Sequence, residues 1–303
     1  MNLNEKFLKE MFNSSKIPVI DFGLGDIFRK AQELSGKLSI SGIQPKLFVK
    51  LNEKQNMLIP VAEGGEYILK PQTSTFPNIP ENEECCMDIA KELNIEVPLH
   101  CLIPLKDKSL SYVVKRFDRE KSVKIHQEDF GQILEQTDKY KGSVEQIGRK
   151  LKEISSAPGY DVQLLFERVV LSFILGNGDA HLKNYSIAYR PQGHGLASDS
   201  QSHRDKDNIR LTPAYDIVCS KLVIPGDEDS AITIHGKKNK LLREDFDQLG
   251  DYFGIPIKIR YEKFGNKFDV MRRIIETSSI AKEKQGQFLE IIKERINRIG
   301  LLE

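Results

Sequence analysis

The sequence predicts an α+β protein with a β-rich first part and a helical second part. Two patterns carry that expectation. Up to about residue 120, short alternating or β-branched runs end at glycine turns; beyond it, apolar residues recur at helical spacing. With 303 residues the chain is long enough for two lobes. They are expected to be residues 1–115, a β-rich N-lobe, and 116–303, a helical C-lobe.

In the first lobe Leu47, Val49 and Leu51 alternate with Phe48 and Lys50, as in a strand with one buried face. Tyr67-Ile68-Leu69-Lys70 follows a Glu-Gly-Gly turn, and Leu110 to Phe117 carries Tyr112-Val113-Val114, giving two more strands. Between them Asn78-Ile79-Pro80 offers an N-cap and a first-turn proline to a helix with the apolar stripe Cys86, Ile89, Ala90 and Leu93. In the second lobe Asp129 to Gln136, Ser143 to Ser155 and Asp161 to Leu175 have helical periodicity. So do Phe246/Leu249/Phe253, Phe268/Met271/Ile274/Ile275 and Phe288/Ile291/Ile292/Ile296. The polar stretch Arg190 to Asn208 reads as a loop, and no internal repeat is visible.

Composition narrows the function classes. Lysine and arginine (45) nearly cancel aspartate and glutamate (44), leaving a net charge of +1 and no global field toward nucleic acid or an anionic membrane. The patch Lys237-Lys238-Asn239-Lys240 reads as a solvated loop, so no direct nucleic-acid binding is expected. Cys85, Cys86, Cys101 and Cys219 show neither metal-ligand spacing nor a disulfide framework and read as buried free thiols. The first 25 residues hold no signal-peptide core, and the apolar runs are too short to span a bilayer. A cytoplasmic location without membrane contact is expected.

The most informative stretch is Leu175-Gly176-Asn177-Gly178-Asp179-Ala180-His181-Leu182-Lys183-Asn184, polar residues placed directly after an apolar helix. Such residues must be satisfied by one another, by metal or by ligand. Asp179 and Asn184 stand five residues apart, the spacing at which protein kinases set a base on the substrate hydroxyl and an amide oxygen on Mg²⁺. Downstream, Leu211-Thr212-Pro213-Ala214-Tyr215-Asp216-Ile217-Val218 places a carboxylate in an apolar context, which is costly unless it binds something. Asn184 and Asp216 together suffice as protein ligands for Mg²⁺, whose remaining positions are filled by phosphate oxygens. Singly, Asp179 could instead cap a turn and Asp216 could be an ordinary buried acceptor; their combination and order favour the site.

Upstream, Lys70 ends an apolar strand and is placed to hold the α/β-phosphates, with Glu83 as its possible carboxylate partner and Glu81 and Glu84 as competitors. The alternative is a lysine that reaches solvent. The loop Gly36 to Lys46 lacks both the Walker and the full kinase glycine pattern, yet Ser39, Ser41, Gly42 and Lys46 present hydroxyls, an amide and an ammonium suited to phosphate.

Taken together, these motifs resemble the HipA-type kinases, toxins of bacterial toxin–antitoxin systems. The resemblance rests on Ser39-Ile40-Ser41-Gly42-Ile43-Gln44-Pro45-Lys46, Asn82-Glu83 with Cys86-Met87, and Val113 to Arg119. It continues in His126 to Phe130, Gly176 to Asn184 and Pro213-Ala214-Tyr215-Asp216, in family order. It implies a bilobed protein-kinase-like fold, ATP and Mg²⁺ as cofactors and phosphorylation of a protein serine or threonine. By that resemblance Asp179 is the catalytic base and Asn184 and Asp216 bind the metal. Lys70, Ser41, Gly42, Gln44, Lys46, Lys115, Phe117 and His181 belong to the nucleotide site, and Ser39 or Ser41 is autophosphorylated. Lys115 stands where the family usually has a hinge glutamate, so a backbone contact to adenine is expected in place of a side-chain one. The serine loop lies early in the chain, as in the short HipT form of the family. That form implies a DNA-binding antitoxin, a small accessory subunit and an aminoacyl-tRNA synthetase target, tryptophanyl-tRNA synthetase by resemblance. Two rival readings are a phosphoinositide-type lipid kinase, whose catalytic loop also groups Asp, His and Asn, and a partner-binding pseudokinase.

Overall fold

A computed structural model describes residues 3–33, 44–120, 123–190 and 208–302. The first lobe is built on a five-stranded antiparallel sheet of β1 (Leu47–Asn52), β2 (Met57–Pro60), β3 (Tyr67–Pro71), β4 (His100–Pro104) and β5 (Leu110–Lys115), in the order β2-β1-β3-β5-β4. Strand alternation gives this sheet two apolar faces. Leu47, Val49, Leu69 and Val113 point to one face, which is covered by α1 (Glu5–Phe12) through Phe7, Leu8, Met11 and Phe12. Asn4 caps α1, its Oδ1 accepting from Phe7 N at 2.9 Å. A second helix, α2 (Leu24–Glu33), follows. Against the other face packs α3 (Ile79–Glu92), burying Cys85, Cys86, Ile89 and Ala90 beside Tyr112 and Val114. Asn78 precedes α3 in the left-handed region (φ 65°) and makes no side-chain cap, so Pro80 in the first turn is the start signal that holds.

Two small antiparallel sheets follow: β6 (Arg119–Glu120) with β7 (Val123–Lys124), and a three-stranded sheet in the order β10-β9-β8, made of β8 (His126–Asp129), β9 (Ser186–Arg190) and β10 (Asn208–Leu211). Most of the expected loop between Arg190 and Asn208 lies outside the described residues, while Arg190 and Asn208 themselves face each other across β9 and β10. The helix expected over Asp129 to Gln136 is only α4 (Phe130–Ile133). Asp129 and Gln132 close a capping box at its start, and Glu135 at φ 52° ends it.

The C-lobe centres on α6 (Pro158–Leu175), buried around most of its circumference, which explains its continuous apolar sequence. Around it stand α5 (Val144–Ile154), α7 (Arg243–Phe253) and α9 (Lys282–Arg298), while α8 (Phe268–Thr277) bridges α9 to α3. The four cysteines are free and buried. Among the described residues no helix is long and apolar enough to cross a membrane.

Candidate active site

The alternation that builds the first sheet also aims its lysine. On β3 and β5, Lys70 lies opposite Tyr112 and Ile68 opposite Val114, all four on the face turned to α3 and the second lobe. Lys70 therefore does not reach solvent; it is 4% exposed, and its Nζ lies 2.5 Å from Glu83 Oε1 and 2.6 Å from Asp216 Oδ1. Glu81 is engaged elsewhere, accepting from Gln72 Nε2 at 2.7 and 2.6 Å. Burial alone would lower the Lys70 pKa, but the Asp216 and Glu83 carboxylates outweigh it and hold the ammonium above its ordinary value. Next to Glu83, the Asn82 side chain grips the backbone of Cys219, donating to its carbonyl at 3.0 Å and accepting from its amide at 2.8 Å. One turn of α3 thus fixes both the lysine and the segment that carries Asp216.

Asp216 sits at φ 58°, a left-handed conformation that aspartate tolerates better than most residues. Its other oxygen, Oδ2, accepts from Asn184 Nδ2 at 3.1 Å and lies 3.5 Å from Lys46 Nζ. Burial would raise the Asp216 pKa; Lys70 and then Lys46 reverse this and hold it well below the carboxylate range. The costly carboxylate of the sequence therefore has two cationic neighbours, both distant in the chain.

The loop after α6 is bounded by two backbone devices. Gly176, at φ 71°, closes the helix in the left-handed region, its amide donating to Phe173 O at 3.0 Å. Gly178 N donates to Ser220 Oγ at 2.7 Å, and Ser220 in turn bonds the Asp227 carboxylate. A Cβ on Gly178 would stand 2.4 Å from both Asp227 Oδ2 and Glu228 O, so only glycine fits. Leu182–Asn184 then forms one 3₁₀ turn, with His181 N donating to Asn184 Oδ1 at 3.0 Å.

Asp179 accepts a 2.8 Å hydrogen bond from the Tyr140 hydroxyl. Burial raises its pKa, and the Tyr140 hydrogen bond and Lys139 work against that rise. The His181 pKa falls to about 4, through burial and then Lys139, so its ring is neutral at pH 7, and its buried Nδ1 has no partner among the described residues.

These groups line one cleft of about 490 Å³ between the sheet and the helical lobe. One end is apolar, with Ile68, Val114 and Phe117, and Phe117 lies 5.7 Å from the Tyr215 ring. The other end carries Lys46, Lys70, Asp179, His181, Asn184 and Asp216. Gln44 is less free than the sequence suggests, because its Nε2 donates to Pro71 O at 2.5 Å. The Lys115 amide donates to Leu99 O at 2.8 Å and its Nζ to Glu10 O at 2.6 Å. Of Lys115 and Phe117, Phe117 is the one whose amide has no partner among the described residues. Ser39, Ser41 and Gly42 lie outside the described residues.

Sequence reasoning overlooked Tyr140, Lys183 and Tyr215, all of which touch or line the cleft. Lys183 and Tyr215 lay inside quoted motifs without being assigned a role. Tyr140 had no local signal, since 39 residues separate it from Asp179.

The profile of the HipA-like C-terminal domain matches residues 38–287. The chain belongs to this family. Its relatives include two proteins that carry the name "putative kinase". One, from Haemophilus influenzae, is 31% identical over 275 residues, covering 85% of this chain and 76% of the relative. The other, Y4dM of Sinorhizobium fredii, is 32% identical over 220 residues, 67% of this chain and 50% of the relative. Among solved structures, the Shewanella oneidensis HipA–HipB–operator DNA complex gives a TM-score of 0.69 at 18% identity, over 92% of this chain and 71% of the matched chain. The Helicobacter pylori proinflammatory kinase CtkA gives 0.54 at 16% identity, over 93% and 96% of the two chains. At such identities the two structures establish the fold, which is kinase-like.

Proposed function

We propose that this chain transfers the γ-phosphate of ATP to a serine or threonine hydroxyl of a protein. The observation that supports this most is the gathering of Lys70, Asp179, Asn184 and Asp216 around one cleft. In this reading the substrate hydroxyl oxygen attacks the γ-phosphorus and the bond to the β–γ bridging oxygen breaks. ADP leaves with the bonding electron pair, and the hydroxyl proton passes to Asp179. Lys70, kept charged by its carboxylate neighbours, anchors the α/β-phosphates, while Glu83 holds its head in place. Lys46 lies on the phosphate side of the cleft, and by the family resemblance Ser41 and Gly42 are the proposed phosphate contacts beside it. The apolar end receives adenine, with the Phe117 amide as the available backbone donor.

The donor chemistry fits a hard divalent cation, an amide and a carboxylate that each offer oxygen, joined at 3.1 Å; the buried Nδ1 of nearby His181 has no partner among the described residues. Asn184 and Asp216 would hold Mg²⁺, which when bound neutralises phosphate charge. Here Asn184 turns its amide nitrogen toward Asp216, so its oxygen must rotate to ligate.

The biological reading is a toxin of a bacterial toxin–antitoxin system that acts in the cytoplasm on an aminoacyl-tRNA synthetase, tryptophanyl-tRNA synthetase by resemblance to the short HipT form. Family membership and the fold shared with a HipA that assembles with HipB and operator DNA support it. A DNA-binding antitoxin and a small accessory subunit are the proposed partners, residues 1–115 and 116–303 the proposed lobes, and Ser39 or Ser41 the proposed autophosphorylation site. A phosphate there would bring nearly two negative charges into a phosphate-binding site. The direct check is transfer of labelled phosphate from MgATP to purified tryptophanyl-tRNA synthetase. Transfer that disappears in Asp179→Asn supports the reading, and a synthetase that stays unlabelled while the chain labels other proteins removes that target.

A further inference from the structure

We infer that Tyr140 is a positioning residue for phosphotransfer, its hydroxyl holding one oxygen of Asp179 so that the other is presented to the incoming hydroxyl. The inference rests on the reading of Asp179 as the base.

Tyr140 OH donates to Asp179 Oδ1 at 2.8 Å, whereas Oδ2 has no partner among the described residues. A carboxylate held by one oxygen has its orientation fixed and a lone pair free, the geometry a general base needs. The turn that carries Tyr140 is anchored on both sides. Leu182 N donates to Lys139 O at 3.1 Å and ties the turn to the catalytic loop; Tyr140 N donates to Asp138 Oδ1 at 2.9 Å. From the far side, Thr233 N donates to Gly142 O at 3.1 Å and Lys238 Nζ to Tyr140 O at 3.3 Å. The basic segment around Lys238, a solvated loop by sequence, thus buttresses the turn.

Packing does not demand a tyrosine here. The ring is 42% exposed, meets His181 edge-on at 5.5 Å and lies under Lys139 Nζ at 4.8 Å, contacts that phenylalanine would keep. What phenylalanine lacks is the hydroxyl on Asp179. The other groups that face Asp179 are Lys139 from the same turn, Asp216 and Asp227 from the segment after β10, and neutral His181 from its own loop.

The test uses the full chain as wild type, Tyr140→Phe and Asp179→Asn. It measures ADP release and phosphate transfer to dephosphorylated casein across pH, KM for ATP and melting temperature. Tyr140→Phe is expected to lower kcat roughly tenfold with KM for ATP and melting temperature unchanged, and to move the acid limb of the rate profile up by about one pH unit. A purely structural role would lower stability without moving that limb. If Tyr140→Phe matches wild type in kcat and pH profile while Asp179→Asn is inactive, this inference fails alone. If Asp179→Asn keeps the wild-type rate, or wild type turns over no ATP, the reading of the site fails with it.

Discussion

The Lys70 ammonium meets the Asp216 carboxylate at 2.6 Å across 146 residues of chain. This contact joins a strand of the first lobe to the loop of the second, and Glu83 on α3 completes the triad. The lysine proposed to bind phosphate is thus already held between two carboxylates, and Lys46, 3.5 Å from Asp216, supplies the second positive charge that balances them.

That balance has a cost when it is broken. Lys70→Met leaves Glu83, 1% exposed, as an uncompensated buried carboxylate and is expected to destabilise the chain by about 3–5 kcal/mol. Adding Glu83→Gln to Lys70→Met should recover part of that loss. Urea unfolding of the single and double variants measures both.

His181 should give stability a pH dependence of its own. Burial keeps its ring neutral down to about pH 4, while the unfolded chain takes up the proton near 6.5. The unfolded state therefore binds more protons between those values, and stability falls as pH drops from 6.5 to 4, by up to about 3 kcal/mol. His181→Gln should flatten that part of the stability–pH curve, read by denaturant unfolding at a series of pH values.

Gly178→Ala should be damaging out of proportion to one methyl group. Its Cβ meets Asp227 and Glu228 at 2.4 Å, so the loop must shift, at about 1–3 kcal/mol of stability and with loss of phosphotransfer. Gly159→Ala is the control, because nothing lies within 4 Å of its Cβ. It should leave ATP turnover intact and the melting temperature equal or higher.

Lys115→Ala tests the hinge. Its ammonium is spent on Glu10 O, not on the cleft, so ATP affinity should stay within about threefold of wild type in a fluorescent-nucleotide titration.

The elements that place the site were largely legible because their signals are local. Alternation around Val49, Leu69 and Val113 marked the strands, and tight clusters around Asp179 and Asp216 marked the loops. The helix Glu5–Phe12 was missed although Phe7, Leu8, Met11 and Phe12 repeat at helical spacing, because charged residues separate them in a short run. β8 and β10 carry little apolar pattern and owe their existence to pairing with β9. Lys70 could be chosen from its strand, but that it meets Glu83 while Glu81 is engaged by Gln72 is a pairing no periodicity reveals. Tyr140 belongs to the same class, brought to Asp179 only when its turn docks on the 3₁₀ turn Leu182–Asn184.

The most direct test of the central claim is incubation of the purified chain with Mg²⁺ and γ-labelled ATP, followed by phosphosite mapping, with Asp179→Asn and Asp216→Asn as controls. The account predicts phosphate on a serine or threonine of protein, lost in both folded variants. Undiminished labelling in either variant, or wild-type protein that binds ATP and transfers no phosphate, would contradict it.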